Sequence, residues 1–350
     1  MQPVPIAGHL VGGETPFVIA EAGVNHNGSV DTAHLLIDEA ATSGAQAVKF
    51  QTFSAKTLVS ANAATTPYQK RAGIARSQAE MLDSLTLPRN AWVELAEHAK
   101  ARGMIFLSTA GDLDSADLLV ELGVPAMKSG SGELTNLPYL KALAQYGLPI
   151  FVSTGMSDER EVDAAVAAVA DAPGLILFHC VSAYPAPPAE CNLRAIPSMQ
   201  ARYEVPVGWS DHTPGATTAV AAAALGARVF EKHFTLDCKA PGPDHAASLE
   251  PEELRAYVDA VRDAIVSLGD GVKRRVPSEE ENMPLVRRGW HASHDLPNGH
   301  VLAEADLLAL RPETGIPVRL NLVGRRLQRV VAAGDALYPE DLEPERADNR

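Results

Sequence analysis

Two histidines each close a short apolar segment: His212 ends PVGWSDH and His233 ends ARVFEKH. Imidazoles at the ends of two neighbouring buried strands can share one divalent cation, which argues for an enzyme and locates its site. Zinc, manganese, iron or cobalt would suit such a pair. The carboxylates Glu21, Asp211 and Asp244, with no cysteine close by, favour a hard, open site over a structural zinc. His26, His179 and His245 are secondary ligand candidates, while His291, His294 and His300 fall near the C-terminus and are expected on its surface.

Lys49 and Lys128 lie inside segments suited to burial, where a bare ammonium is costly. They could neutralise a phosphate or carboxylate, helped by the N–H groups and hydroxyls of the Ser129–Gly132 turn. The competing reading pairs them internally with Glu21 or Glu133. Cys180 directly follows His179; strand neighbours point to opposite faces, so the two should not form a nucleophile–base pair, and a core thiol is expected.

These residues sit on a repeating pattern of apolar strand then amphipathic helix. Eight strands are expected, at 17–21, 47–52, 105–109, 126–129, 150–153, 175–179, 205–209 and 229–233. Their apolar runs do not alternate cleanly, as expected of parallel strands covered on both faces. Helices are expected at 31–43, 89–102, 114–122, 136–145, 158–170, 213–225 and 251–268, several ending at a glycine that can cap them. Eight such units predict a (β/α)8 barrel, with the chemistry at the C-terminal strand ends, where the polar residues collect. A doubly wound sheet competes, but no Gly-rich dinucleotide loop is present.

The bulk properties agree with a large α/β domain followed by a small one. The chain has 350 residues, 46% hydrophobic and only 5% aromatic, so aliphatic strands and Ala/Leu helices must build the core. A formal charge of −14 argues against nucleic acid, although a few lysines can still make a pocket locally positive. Cys180, Cys191 and Cys238 suggest no disulfide framework. With no leader and no membrane-spanning stretch evident, a cytoplasmic location is expected. The barrel is assigned to residues 1–270, a charged linker to 271–285 and a turn-rich domain to 286–350.

The segments IAEAGVNHNG (19–28), VKFQT (48–52), KSGSGE (128–133), STGM (153–156), SDHT (210–213), EKHFT (231–235) and PGPDH (241–245) together closely resemble the sialic acid synthase family, in matching order over nearly the whole chain. The C-terminal stretch, with Arg311–Pro312 and Gly315–Pro317, resembles that family's antifreeze-like (SAF) domain, a β-clip fold. The resemblance implies condensation of phosphoenolpyruvate with the open-chain aldehyde of an N-acetylated hexosamine, N-acetylmannosamine or a 2,4-diacetamido-6-deoxy hexose. The products would be a nine-carbon 3-deoxy-2-keto sugar acid and phosphate. It implies a divalent metal on His212 and His233, usually manganese, with magnesium or cobalt as alternatives. By the same resemblance Lys49, Gln51, Thr109, Lys128, Ser131, Ser153, Ser182 and Ser210 bind phosphoenolpyruvate or line its site. Glu21 sits near the reacting centre, Glu133 is a proton-transfer candidate, Tyr184 lines the pocket and Asp244 contacts the sugar. A homodimer is implied in which the small domain of one subunit covers its partner's barrel and Arg311 reaches the N-acetyl group.

Two departures stand out. Ser182 replaces the asparagine of the version that takes N-acetylmannosamine, and Gly111 replaces a bulky aromatic, which should open space or loosen that loop. Tyr68–Lys70 and Asp244–His245 occur with either acceptor type, and Trp290 stands where a serine is usual. The rivals are a synthase of the same chemistry acting on a phosphorylated sugar, for which no second basic cluster is evident, and a non-catalytic carbohydrate-binding protein.

Overall fold

The computed structural model describes residues 2–60, 63–66 and 77–344. The segment Tyr68–Lys70 lies outside them. The chain divides into two compact units, Met1–Gly269 and Asp270–Arg350.

In the first unit eight parallel strands close a barrel: Phe17–Gly23, Ala47–Thr52, Ile105–Ala110, Met127–Ser129, Ile150–Ser153, Leu175–Cys180, Val207–Asp211 and Val229–His233. Strands pair in chain order, and the last closes on the first with Phe17–Glu21 opposite Val229–His233. This is the (β/α)8 architecture. An apolar cluster fills the barrel's N-terminal half, including Phe17, Ile19, Leu107, Phe151, Phe178 and Val229. A hairpin, Val4–Ile6 with His9–Val11, adds Val4, Ile6 and Val11 to that cluster, a part the sequence reading omitted.

The outward strand residues Val48, Phe50, Val152, Leu177, Trp209 and Phe230 meet the helices in a second, larger core. Helix Val30–Ser43 turns Ala33, Leu36, Ile37 and Ala40 inward, the stripe its sequence spacing predicts. Helix Glu159–Ala168 starts at a capping box between Asp158 and Glu161. The seventh strand runs Val207–Asp211, two residues later than expected, so His212 begins the loop that follows it. Helix Thr217–Ala224 accordingly starts after Gly215, not at 213. A helix at Ala195–Tyr203 went unpredicted; it buries only Ile196, too little to show a period.

The second unit pairs Gly289–Ala292 with Leu307–Leu310 antiparallel over a core that includes Leu296, Leu302, Ile316, Leu327 and Leu337. The expected linker contains two short turns of helix, Pro277–Glu279 and Met283–Val286. His291, expected at the surface, is buried, with Nδ1 3.1 Å from the Gly289 carbonyl oxygen.

Candidate active site

At the C-terminal end of the barrel the inward side chains change from apolar to polar. A cavity of about 580 Å³ opens there, lined by residues that include Glu21, Lys49, His212, Glu231 and His233. Strand alternation explains which residues reach it. Lys49 and Gln51 point in from the second strand, Glu231 and His233 from the eighth, and Ser210 from the seventh. A register shift between Glu21 and Gly23 interrupts the first strand's pairing. Gly23 takes φ +54, and a Cβ there would lie 3.4 Å from both Gln51 Nε2 and His233 Cε1. The irregularity thus packs this turn closely against the site, a common use of bulges.

Lys49 is the electrostatic centre. Its Nζ lies 2.8 Å from Glu21 Oε2 and 3.6 Å from Glu231 Oε2, and it donates to Thr109 Oγ1 at 2.9 Å. The internal pairing with Glu21 is therefore present, and Glu231 joins it. Gln51 Nε2 donates to Glu21 at 3.2 Å, and Ser210 Oγ to Glu231 at 3.1 Å. Burial raises the pKa of Glu21 against the pull of Lys49, with Glu231 adding to the rise. Burial also acts upward on Glu231, but Lys128 and Lys49 outweigh it and hold that carboxyl below its usual range. One carboxyl is thereby poised to carry a proton while its neighbour stays ionised.

Lys128 is buried beside the cavity and donates to Ser153 Oγ at 2.6 Å and to the Ser129 carbonyl at 3.0 Å. Burial lowers its pKa, opposed by Glu231. Ser131, Ser153, Ser182 and Cys180 form the adjoining wall. Gly155 makes this possible: its N–H donates to Ser131 Oγ at 3.0 Å, and a Cβ there would meet Ser182 Oγ at 2.3 Å, Ser131 Oγ at 2.9 Å and Cys180 Sγ at 3.1 Å. The core-thiol expectation for Cys180 is thus corrected: it is buried, but its sulfur borders the cavity, 3.3 Å from Ser131 Oγ. The outward neighbour is His179, whose Nε2 lies 2.7 Å from the Cys191 carbonyl oxygen.

The rings of His212 and His233 are 5.5 Å apart, with Tyr184 4.2 Å from the first and 5.7 Å from the second. Two imidazoles on one ion, with metal–nitrogen distances of about 2.1 Å, require a ring separation of this order. His212 Nδ1 lies 2.7 Å from the Val181 carbonyl oxygen, which leaves Nε2 for a ligand, and His233 Nδ1 is buried with no hydrogen-bond partner. Burial lowers both pKa values, keeping the rings neutral as metal ligation demands. Among the described residues no group of three or more His, Cys, Asp or Glu side chains is arranged for a metal. The residues therefore fit a cation held by two imidazoles, with its other positions open to water or substrate.

Other candidates lie elsewhere. Asp211 points outward to Lys232 and is no ligand. His26 packs against Phe50 and Trp92, and His245 Nδ1 is 2.6 Å from Thr235 Oγ1. Glu133 and Asp244 are not in the cavity lining; Glu133 follows the lining residues Ser131 and Gly132 and accepts from Asn136 at 2.8 Å, while Asp244 is buried in the loop after the eighth strand. Arg311 is exposed in the second unit. Glu231, counted from the sequence only among the polar strand-end residues and given no role, and Gln78, which sequence reasoning left out, both line the site. Glu231 was legible from its parity with His233, whereas nothing local marks Gln78. Gly111 does not loosen its loop: its N–H donates to the Thr52 carbonyl at 2.8 Å, and a Cβ would lie 2.6 Å from Phe53 Cβ. Asp112 next to it caps the helix Leu113–Glu121.

A closed parallel barrel with a charged, partly imidazole-lined cavity at its C-terminal mouth defines a barrel enzyme. The sequence matches the NeuB family over residues 36–273 and the SAF domain over residues 287–343. It is 44% identical over 338 residues to N,N'-diacetyllegionaminic acid synthase of Legionella pneumophila, covering 94% of this chain and 95% of that one. It is 45% identical over 304 residues to the Campylobacter jejuni protein of the same name, covering 85% and 91%. A crystal structure of sialic acid synthetase from Leptospira borgpetersenii superposes with a TM-score of 0.71 at 32% identity, covering 80% of this chain and 95% of that one. The chain belongs to the NeuB family and is an enzyme of the sialic acid and nonulosonic acid synthase class. No helix among the described residues is long and apolar enough to cross a membrane.

Proposed function

We propose that the enzyme condenses phosphoenolpyruvate with a 2,4-diacetamido-6-deoxy hexose to give a nine-carbon 3-deoxy-2-keto acid and phosphate. The observation that carries this is the convergence of Lys49, Glu21, Glu231, His212 and His233 on one cavity, with Lys128 buried behind its lining residue Ser153. The acceptor is assigned from the two relatives named as diacetyllegionaminic acid synthases.

Lys49, Lys128 and the Ser131, Ser153 and Ser210 hydroxyls neutralise and orient the phosphate and carboxylate of phosphoenolpyruvate, with Thr109, Gln51 and Ser182 completing the wall. A divalent cation on His212 and His233, manganese by preference, supplies Lewis acidity toward the aldehyde oxygen. C3 of phosphoenolpyruvate forms the new bond to the aldehyde carbon as the carbonyl π bond opens, and the aldehyde oxygen takes up a proton to become a hydroxyl. Water adds at C2, and cleavage of the C2–O bond releases phosphate. Glu21 would take a proton from the water, and Glu133, two residues beyond Ser131 and outside the cavity lining, would exchange one with the solvent side. Asp244 and Tyr184 hold the sugar. We further propose a homodimer in which the partner subunit's SAF domain brings Arg311 to the acceptor, acting in the cytoplasm.

Phosphate release with manganese tests the reaction, using N-acetylmannosamine, the diacetamido sugar and a phosphorylated sugar, with mass detection of product. Turnover is expected with the diacetamido sugar. Turnover only with the phosphorylated sugar would overturn the acceptor, and silence with all three in folded, metal-loaded protein would leave the binding-protein reading. Gly155→Ala tests the anion wall. Its methyl must displace Ser182 and Ser131, so KM for phosphoenolpyruvate should rise about tenfold or more while the melting temperature moves little. An unchanged KM would remove this wall from the substrate site.

A further inference from the structure

The residues before the two imidazoles form one buried ion pair on the outer side of the barrel. Asp211 and Lys232 face each other across the ladder of the seventh and eighth strands, with Lys232 Nζ 3.3 Å from Asp211 Oδ2. Neither side chain has any measurable exposure. One step earlier in each strand the outward residues are Trp209 and Phe230, both apolar and both in the barrel–helix core. A charged pair here is an exception to its surroundings, and a buried pair seldom adds stability over an apolar one.

Its hydrogen bonds converge on the peptide units around His212. Asp211 Oδ1 accepts from Thr213 N at 2.8 Å, Thr213 Oγ1 at 2.7 Å and Thr218 Oγ1 at 3.2 Å. Lys232 Nζ donates to the Thr213 carbonyl and stands 5.3 Å from the ring centroid of Tyr257. The backbone N–H and side-chain hydroxyl of residue 213 are therefore tied to a charge on the seventh strand and its backbone carbonyl to one on the eighth. On the inner side the same strands are joined by Ser210 and Glu231.

We propose that Asp211 and Lys232 are positioning residues that fix the separation of His212 and His233 and so set the affinity of the site for a divalent cation. The proposal rests on the reading of those histidines as metal ligands. Strand pairing places His233, but His212 lies one residue beyond its strand. Its carbonyl accepts from Ala186 N–H at 2.8 Å and its ring meets the Val181 carbonyl, while the ion pair ties down the next residue, Thr213, and so the direction in which the chain leaves His212.

The test measures Mn2+ binding to the full chain by electron paramagnetic resonance, beside kinetics and thermal unfolding. Variants are Asp211→Asn, Lys232→Met and the double variant Asp211→Leu/Lys232→Met, with His212→Ala as control. Asp211→Asn and Lys232→Met should weaken Mn2+ binding about 10- to 100-fold and raise the manganese needed for half-maximal turnover in parallel. The double variant leaves no unpaired charge, so it should regain thermal stability relative to Lys232→Met yet still bind Mn2+ weakly. A folded double variant binding Mn2+ within twofold of the wild type would overturn the proposal and reduce the pair to a structural one. Should it not fold, Thr218→Val decides: about threefold weaker Mn2+ binding is expected, and unchanged binding overturns the proposal. A wild-type protein that binds no Mn2+, or a His212→Ala protein that binds it normally, would instead overturn the metal reading itself, and this proposal with it.

Discussion

Lys49→Met should lower kcat/KM for phosphoenolpyruvate by about 10²- to 10³-fold and destabilise the protein by about 3–5 kcal/mol at neutral pH. Methionine keeps most of the stem's volume, so the effect comes from the ammonium. Without it Glu21 and Glu231 lose the cation that stands 2.8 Å from one and 3.6 Å from the other. Glu21, already raised by burial, would rise further and hold its proton across the neutral range. A carboxyl whose folded pKa exceeds its unfolded one costs stability once pH passes above the unfolded value, and the cost is complete above the folded value. The deficit of the variant should therefore be largest in the alkaline range and shrink as pH falls toward the ordinary carboxylate range. Denaturant midpoints of both proteins at several pH values, with phosphate-release kinetics, check this. Activity within tenfold of the wild type, or a deficit that does not change with pH, would show that Lys49 is not the hub of the site.

The sequence exposed this hub unevenly. Parity along a strand is strong information: once His233 is taken as inward, Glu231 must also face in and Lys232 out. Read from His212 in the same way, Asp211 faces out, which removes it as a ligand. The direction of Cys180 and His179 could not be settled so, because alternation separates the pair without saying which member faces the cavity. Gly155 was visible as part of a Ser-Thr-Gly-Met run, but its role depends on three side chains, from the turn after the fourth strand and from the end and following loop of the sixth, meeting at one point. The eight barrel strands were legible because each is a short apolar run between helices, whereas the hairpin at Val4–Val11 is too short for a period and is defined by the barrel end it fills. The place of Arg311 in any site depends on assembly, which no local pattern encodes.

Asp244→Asn should make the enzyme more stable and less active. Asp244 is buried in the loop after the eighth strand, and burial alone raises its pKa from 3.8 to about 6. Its backbone carbonyl accepts from Ser248 Oγ at 2.7 Å, a bond that asparagine would keep. The raised pKa fixes the sign. Well below pH 3.8 the group is protonated in folded and unfolded chains alike and costs nothing; the cost sets in as pH passes 3.8, grows up to about 6 and is complete above it. Moving a carboxyl from 3.8 to about 6 corresponds to about 3 kcal/mol, an upper figure for a site without bound acceptor. Asparagine has no charge to desolvate, so the variant should gain up to that amount at pH 8 and almost nothing near pH 3, read from denaturant midpoints without substrate. If Asp244 holds the sugar, losing a charge-assisted hydrogen bond of about 1.5–3 kcal/mol should raise KM for the acceptor roughly 10- to 100-fold and leave KM for phosphoenolpyruvate nearly unchanged. A gain independent of pH would refute the burial argument, and an unaltered acceptor KM would take Asp244 out of the sugar site. Opposite changes in stability and acceptor binding mark a carboxylate kept for its ligand, since a carboxylate kept for the fold would have its folded pKa lowered, not raised.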